Sequence, residues 1–219
     1  MTMESVMIKP SWRGWMHLVS FEISLVIGTL LLVAADGPRQ ITATAIYVGS
    51  VAGLFGASAL YHRGNWSLAV RRILQRVDHF MIFVMIAGTA TPVFMLAVGG
   101  ELGWFYLAVM WTLTLIGSSI HQIWMHAPNW VAVCVYSGLG LVSVMALPSM
   151  SRHGGAEVIT LIVAGGVLYL AGAVALNRQW PDPHPATFGY HEVFHAYVCA
   201  AATCHYVAIA LLVLNGVGR

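Results

Sequence analysis

The segment HEVFHAYVCAAATCHYVAIALLVL, residues 191–214, decides the fold. It holds one acid, Glu192, and no Lys or Arg. As a helix rising 1.5 Å per residue it is long enough to cross a hydrocarbon core of roughly 30 Å. Six further apolar segments precede it, at about 15–35, 41–61, 79–98, 102–123, 130–147 and 158–176. The composition agrees: 59% of the chain is apolar and 8% charged, against roughly 25% charged in a soluble domain. So few charges cannot clothe a water-facing surface, whereas lipid needs none. The sequence therefore predicts an all-α integral membrane protein, with residues 1–219 forming a single seven-transmembrane domain.

The ends of these segments set the expected topology. Trp12 and Trp15 mark the entry of the first span, as interfacial aromatics do. With the N-terminus inside, Lys9, Arg13, Arg63, Arg71, Arg72, Arg76 and Arg178 lie inside, and Arg39, Arg152 and Arg219 outside. That seven-to-three excess predicts a cytoplasmic N-terminus and an extracytoplasmic C-terminus. The net charge of +2 is too small, and its residues too scattered, to suggest a nucleic-acid partner. Membrane lipids are the expected partners. Cys134, Cys199 and Cys204 all fall in apolar segments, where an odd number of thiols builds no disulfide framework.

The ten histidines outnumber the eight acids, which directs attention to metals. His191 and His195, four apart at the head of the last span, stack on one helix face within reach of one ion. With Glu192 between them they spell the H-E-x-x-H pattern of zinc hydrolases. The second span ends on the same side with Ser58 and His62, also four apart, and the third begins there with Asp78. Three remote segments thus bring Ser58, His62, Asp78, His191 and His195 to one depth. Ionisable groups within spans are costly and face a bundle interior or a watery cavity. Three neutral imidazoles with an open fourth position are the donor set of a catalytic zinc site. Ser58 would orient a water there and Asp78 would accept its proton. Asp78 is also well placed as an N-cap of the third span.

Other residues carry less. Gly49, Gly53 and Ala57 form a small-residue stripe suited to close helix contact. The run Gly88-Thr89-Ala90-Thr91-Pro92 is expected to kink the third span, with Thr hydroxyls near the freed carbonyl. His79 faces away from Asp78 and reads as interfacial. His121, His126, His153 and His184 fall at span ends or in loops. His205, 14 residues beyond His191 and about 21 Å along the axis, reads as a hydrogen-bonded core histidine. Glu22, inside the first span, has no assigned role.

Ser58-Ala-Leu-Tyr-His62, Asp78-His79 followed by Ile86-Ala-Gly-Thr89 and Pro92, and His191-Glu-Val-Phe-His195 resemble the three signature motifs of the hemolysin III family, the bacterial branch of the progestin-and-adipoQ receptor (PAQR) superfamily. The resemblance spans nearly the whole chain, although the stretch before the first span, Arg13-Gly-Trp-Met-His17, lacks the acidic and Asn-containing pattern of many members. It implies zinc held by His62, His191 and His195 near the cytoplasmic face of a bacterial cell membrane, with Ser58 and Asp78 at the bound water. It also implies a ceramidase-like or other lipid amide or ester hydrolase. The alternatives are a receptor or regulator of membrane-lipid homeostasis with a structural zinc, a metalloprotease using Glu192 as base, and a cytolysin. No amphipathic insertion segment supports the cytolysin.

Overall fold

The computed structural model of the chain describes residues 9–124, 129–150 and 154–218. Seven helices follow in order: α1 (Trp15–Ala34), α2 (Gly37–Arg63), α3 (Leu68–Pro92), α4 (Gly100–Ile123), α5 (Asn129–Met150), α6 (Gly155–Arg178) and α7 (Tyr190–Leu214). A π-helical segment, Val93–Val98, continues α3. Among the described residues there is no strand beyond an isolated bridge between His184 and Phe188. Among the described residues six helices are long and apolar enough to cross a membrane, α1, α2, α3 with its π-helical continuation, α4, α6 and α7, and Gly138–Met150 of α5 is a further apolar helical stretch. Their outward faces carry Leu30, Val33, Leu115, Leu170 and other large apolar side chains. This is the surface of an integral, multi-pass membrane protein.

The central helix is α3. Buried residues make up 78% of its apolar window, against 22% in α1 and in α6. It packs on α2 and α4, while α1 lies against both α2 and α7, and α6 against α7. The sides of the bundle at which the described chain begins and ends are opposite. Lys9 donates to the Arg63 carbonyl at the end of α2. The Gln40 amide, near the start of α2, donates to the carbonyls of Val213 and Val217.

The third helix corrects the sequence reading. It starts at Leu68, about three turns before the expected 79, and its N-cap is Ser67, which accepts from the Val70 N–H. Asp78 is thus an interior residue of α3, not its cap. The extra turns carry Arg71, Arg72 and Arg76 on an exposed face, and long cationic side chains keep such a face wet beside lipid. The Arg76 and Gln122 side chains cross-bond each other's backbone carbonyls, tying this extension to the end of α4. Pro92 is answered by a widened turn rather than a break. Thr91 Oγ1 donates to the Ala87 carbonyl at 2.8 Å, and the Gly99 N–H closes the π-helical segment on Phe94.

The small-residue stripe is only partly as expected. Gly53 admits the Met81 methyl from α3 and Gly56 lies against Phe21 of α1, whereas Gly49 meets nothing. Glu22 is exposed on α1. His126, His153, Arg152, Arg219 and the side chain of Cys134 lie outside the described residues.

Candidate metal centre

Each expected donor is delivered by a defined piece of backbone. The last turn of α2 carries His62, one turn after Ser58. That end of α2 is closed by Gly64, whose N–H bonds the Leu60 carbonyl, and by Trp66, whose indole N–H bonds the same oxygen. The first turn of α7 carries His191, and His195 follows one turn later. Two carboxylates from the preceding loop and from α7 itself satisfy the opening amides. Asp182 accepts from the Tyr190 N–H and Glu192 from the Gly189 N–H, each at 2.9 Å. Carboxylates at this end of a helix meet both its free N–H groups and its positive dipole end.

The donor nitrogens of His62, His191 and His195 lie within 4.8 Å of one another. Nε2 of His62 and Nε2 of His191 are 3.3 Å apart. Two imidazole nitrogens on a tetrahedral ion, each about 2.1 Å from it, are separated by about 3.4 Å. The residues present therefore fit a metal ion, and their all-nitrogen chemistry suits zinc among others. Asp78, from α3, brings a carboxylate oxygen to 3.8 Å from His62 Nε2, with the Ser58 side chain beside it. Ser58, His62, Asp78 and His195 are buried and His191 half-buried. All five sequence candidates thus stand together at one end of the bundle.

Two features were not read from the sequence. Glu192, wholly buried, forms an ion pair with Arg13 from the segment before α1. One of its oxygens faces the guanidinium and the other the Gly189 N–H, so both are already engaged. The second feature is His17, in the first turn of α1. Its ring stacks on that of His195 with centres 3.8 Å apart and planes inclined by 13°, and meets Phe55 edge-on. Gly14 makes this approach possible. It adopts φ +81°, and a Cβ there would lie 2.8 Å from the His62 Cβ. Further contacts lash the same entry segment down. The Ser11 and Trp12 N–H groups bond the Ala186 and Thr187 carbonyls, and the Arg63 guanidinium lies over the Trp15 ring.

Among the described residues, His79, His121 and His205 have partners of their own. His79 and His121 pair across α3 and α4, with Nδ1 and Nε2 3.1 Å apart, which gives a role to His79, expected to be interfacial, and to His121, expected only to fall at a span end. His205 Nε2 donates to the Ile162 carbonyl at 3.1 Å, as expected of a core histidine. Cys199 and Cys204 are free thiols, and Cys199 lies 3.2 Å from the Ser20 hydroxyl.

Comparison with known proteins places these residues in a wider set. The family model described as "Haemolysin-III related" matches residues 5–206. Hemolysin-3 of Bacillus cereus is 26% identical over 196 residues, covering 87% of this chain and 86% of that protein. The Hemolysin-3 homolog of Bacillus subtilis strain 168 is 24% identical over 78% of this chain and 76% of its own length. The human monocyte to macrophage differentiation factor is 24% identical over 85% and 77% respectively.

Proposed function

The chain belongs to the haemolysin-III-related family, and from that premise we propose that it is a zinc-dependent intramembrane hydrolase of a lipid amide or ester. One observation carries the reading. Three imidazoles converge on one point beside an acid that does not belong to their helices, Asp78 of α3. Zinc held there would polarise the scissile carbonyl and make a water nucleophilic near neutral pH. His62, His191 and His195 would be its ligands. Asp78 serves as general base: it takes the proton from water and returns it to the departing amine or alcohol. Ser58, one turn from His62 and beside Asp78, orients the water. Glu192 is assigned to the helix start, because both its oxygens are occupied. That weakens the protease reading, which needs it free.

A second reading has its own support. The cavity beside α1, α2 and α7, lined by Ser20, Tyr47, Phe55, Cys199 and Tyr206, is only about 130 Å³, small for a two-chain lipid. A structural zinc tying α2 to α7 in a receptor or regulator would need no larger one.

The decisive measurement is metal content and lipid turnover on the same purified sample, with ceramide-like amides and phospholipid esters as substrates. The hydrolase reading expects one zinc per chain and turnover that chelation removes and zinc restores. Stoichiometric zinc with no turnover of either class would leave the structural reading. Metal-independent lysis of erythrocytes would favour the cytolysin.

A further inference from the structure

Among the described residues, His17 is the histidine whose two ring nitrogens are both buried and both without a hydrogen-bond partner. Only 3% of the residue is exposed. Burying a polar group unpaired costs about 1–3 kcal/mol, and a Phe or Leu would fill the same space without that cost. The ring therefore needs a partner that the protein chain does not supply.

The ion itself is the first candidate, and geometry rejects it. A metal lies in the plane of each imidazole that holds it. The His17 and His195 planes are inclined by only 13° with centres 3.8 Å apart. Such planes intersect on the order of 15 Å away, against about 2.1 Å for a zinc–nitrogen bond. His17 cannot share an ion with His195 without leaving the stack. A ligand on the ion's fourth position is different. It would stand about 2 Å from the metal and could lie out of the His195 plane. A ligand on the face of the His195 ring that His17 covers would come within hydrogen-bonding reach of a ring stacked 3.8 Å away.

We propose that His17 is a positioning residue: it hydrogen-bonds the exogenous fourth ligand of the ion, a water or an acyl oxygen of the lipid, and sets the site's affinity for that ligand without holding the metal. The inference rests on the metal reading of His62, His191 and His195. It adds a group from α1, a helix that contributes no ligand. Phe55 and Gly14 support it, the first by bracing the ring's edge and the second by letting α1 come close enough for the stack.

Cobalt(II) in place of zinc gives a visible spectrum that reports the ligands directly. Wild type, His17→Phe and His17→Gln would be loaded with cobalt and titrated with acetohydroxamate, a carbonyl-bearing metal ligand. All three should hold one cobalt per chain. His17→Phe, which keeps the stacked ring but has no nitrogen, should bind acetohydroxamate about tenfold more weakly, the effect of one lost hydrogen bond. His17→Gln, which restores a donor, should fall between. Equal titrations of His17→Phe and wild type would overturn the proposal. So would loss of cobalt from a His17→Phe protein that melts like wild type, since His17 would then be holding the ion. Failure of wild type to take up cobalt would instead remove the metal reading on which the proposal stands.

Discussion

Arg13 and Glu192, 179 positions apart in the chain, form an ion pair in which the acid is wholly buried. The pair fixes the first turn of α7 against the entry to α1, and His191 is in that turn. Removing the guanidinium leaves a carboxylate buried without its counter-charge. Arg13→Ala is therefore expected to lower stability by about 3 kcal/mol, the scale for breaking one side of a buried pair. Glu192→Gln keeps an acceptor for the Gly189 N–H and should cost less. Thermal melts in one detergent compare the two, and an Arg13→Ala melt that matches wild type would show that the pair does not support the fold.

Metal binding should depend on all three imidazoles. Structural zinc binds with an apparent free energy of at least about 10 kcal/mol, so losing one of three donors should weaken it by on the order of 3 kcal/mol, about a hundredfold. His62→Ala, His191→Ala and His195→Ala should each copurify with little metal. Stoichiometric metal in the triple variant would place the site elsewhere.

The identity of the base separates two acids that stand close to the ligands. Asp78→Asn should retain the metal and lose lipid hydrolysis by at least about a hundredfold, the lower range for general-base loss. Glu192→Gln should keep much of the activity because Glu192 already serves Arg13 and Gly189. The opposite ranking would move the chemistry to the H-E-x-x-H acid.

Gly14 is a test of the close approach of α1. A side chain there must adopt φ +81° and displace the His62 side chain. Gly14→Val is expected to destabilise by about 2 kcal/mol, the scale of a non-glycine residue held in that region, and to weaken metal binding through His62. Metal affinity and melting temperature unchanged in Gly14→Val would mean that α1 can withdraw freely.

Orientation follows from the positive charges. Arg13, Arg63, Arg71, Arg72 and Arg76 belong to the end of the bundle that carries the metal centre, which is therefore expected to be cytoplasmic. A reporter fused after Arg219 should respond as extracytoplasmic. A cytoplasmic response would place the centre on the other face.

Much of this was legible before any coordinates. Hydropathy marked the helices, spacing by four paired Ser58 with His62 and His191 with His195, and the order of spans brought Asp78 to them. What escaped depends on charge and on distant contact. The stretch Leu68–Val77 reads as a loop because three arginines interrupt it, yet Ser67 in front of it is an N-cap signal. His17 was invisible because a stacked ring leaves no periodic trace. Arg13 had a signal that could have been followed: an acid as deep as Glu192 demands a cation, and Arg13 precedes the helix that packs beside it.

The split of the donors between α2 and α7 also has a consequence in time. His62 and His191 are 129 positions apart, so at 5–20 residues per second a growing chain exposes His62 roughly 6–26 s before His191 exists, with Asp78 following His62 by only a few seconds. The helical hairpin α2–α3 must wait in the bilayer through that interval with two ionisable groups and no ion site to enclose them. Their contact with each other, local to that hairpin, gives both a partner while it waits. If the three imidazoles hold an ion as proposed, its capture would report that the last helix has been inserted, and metal content would measure completed biogenesis.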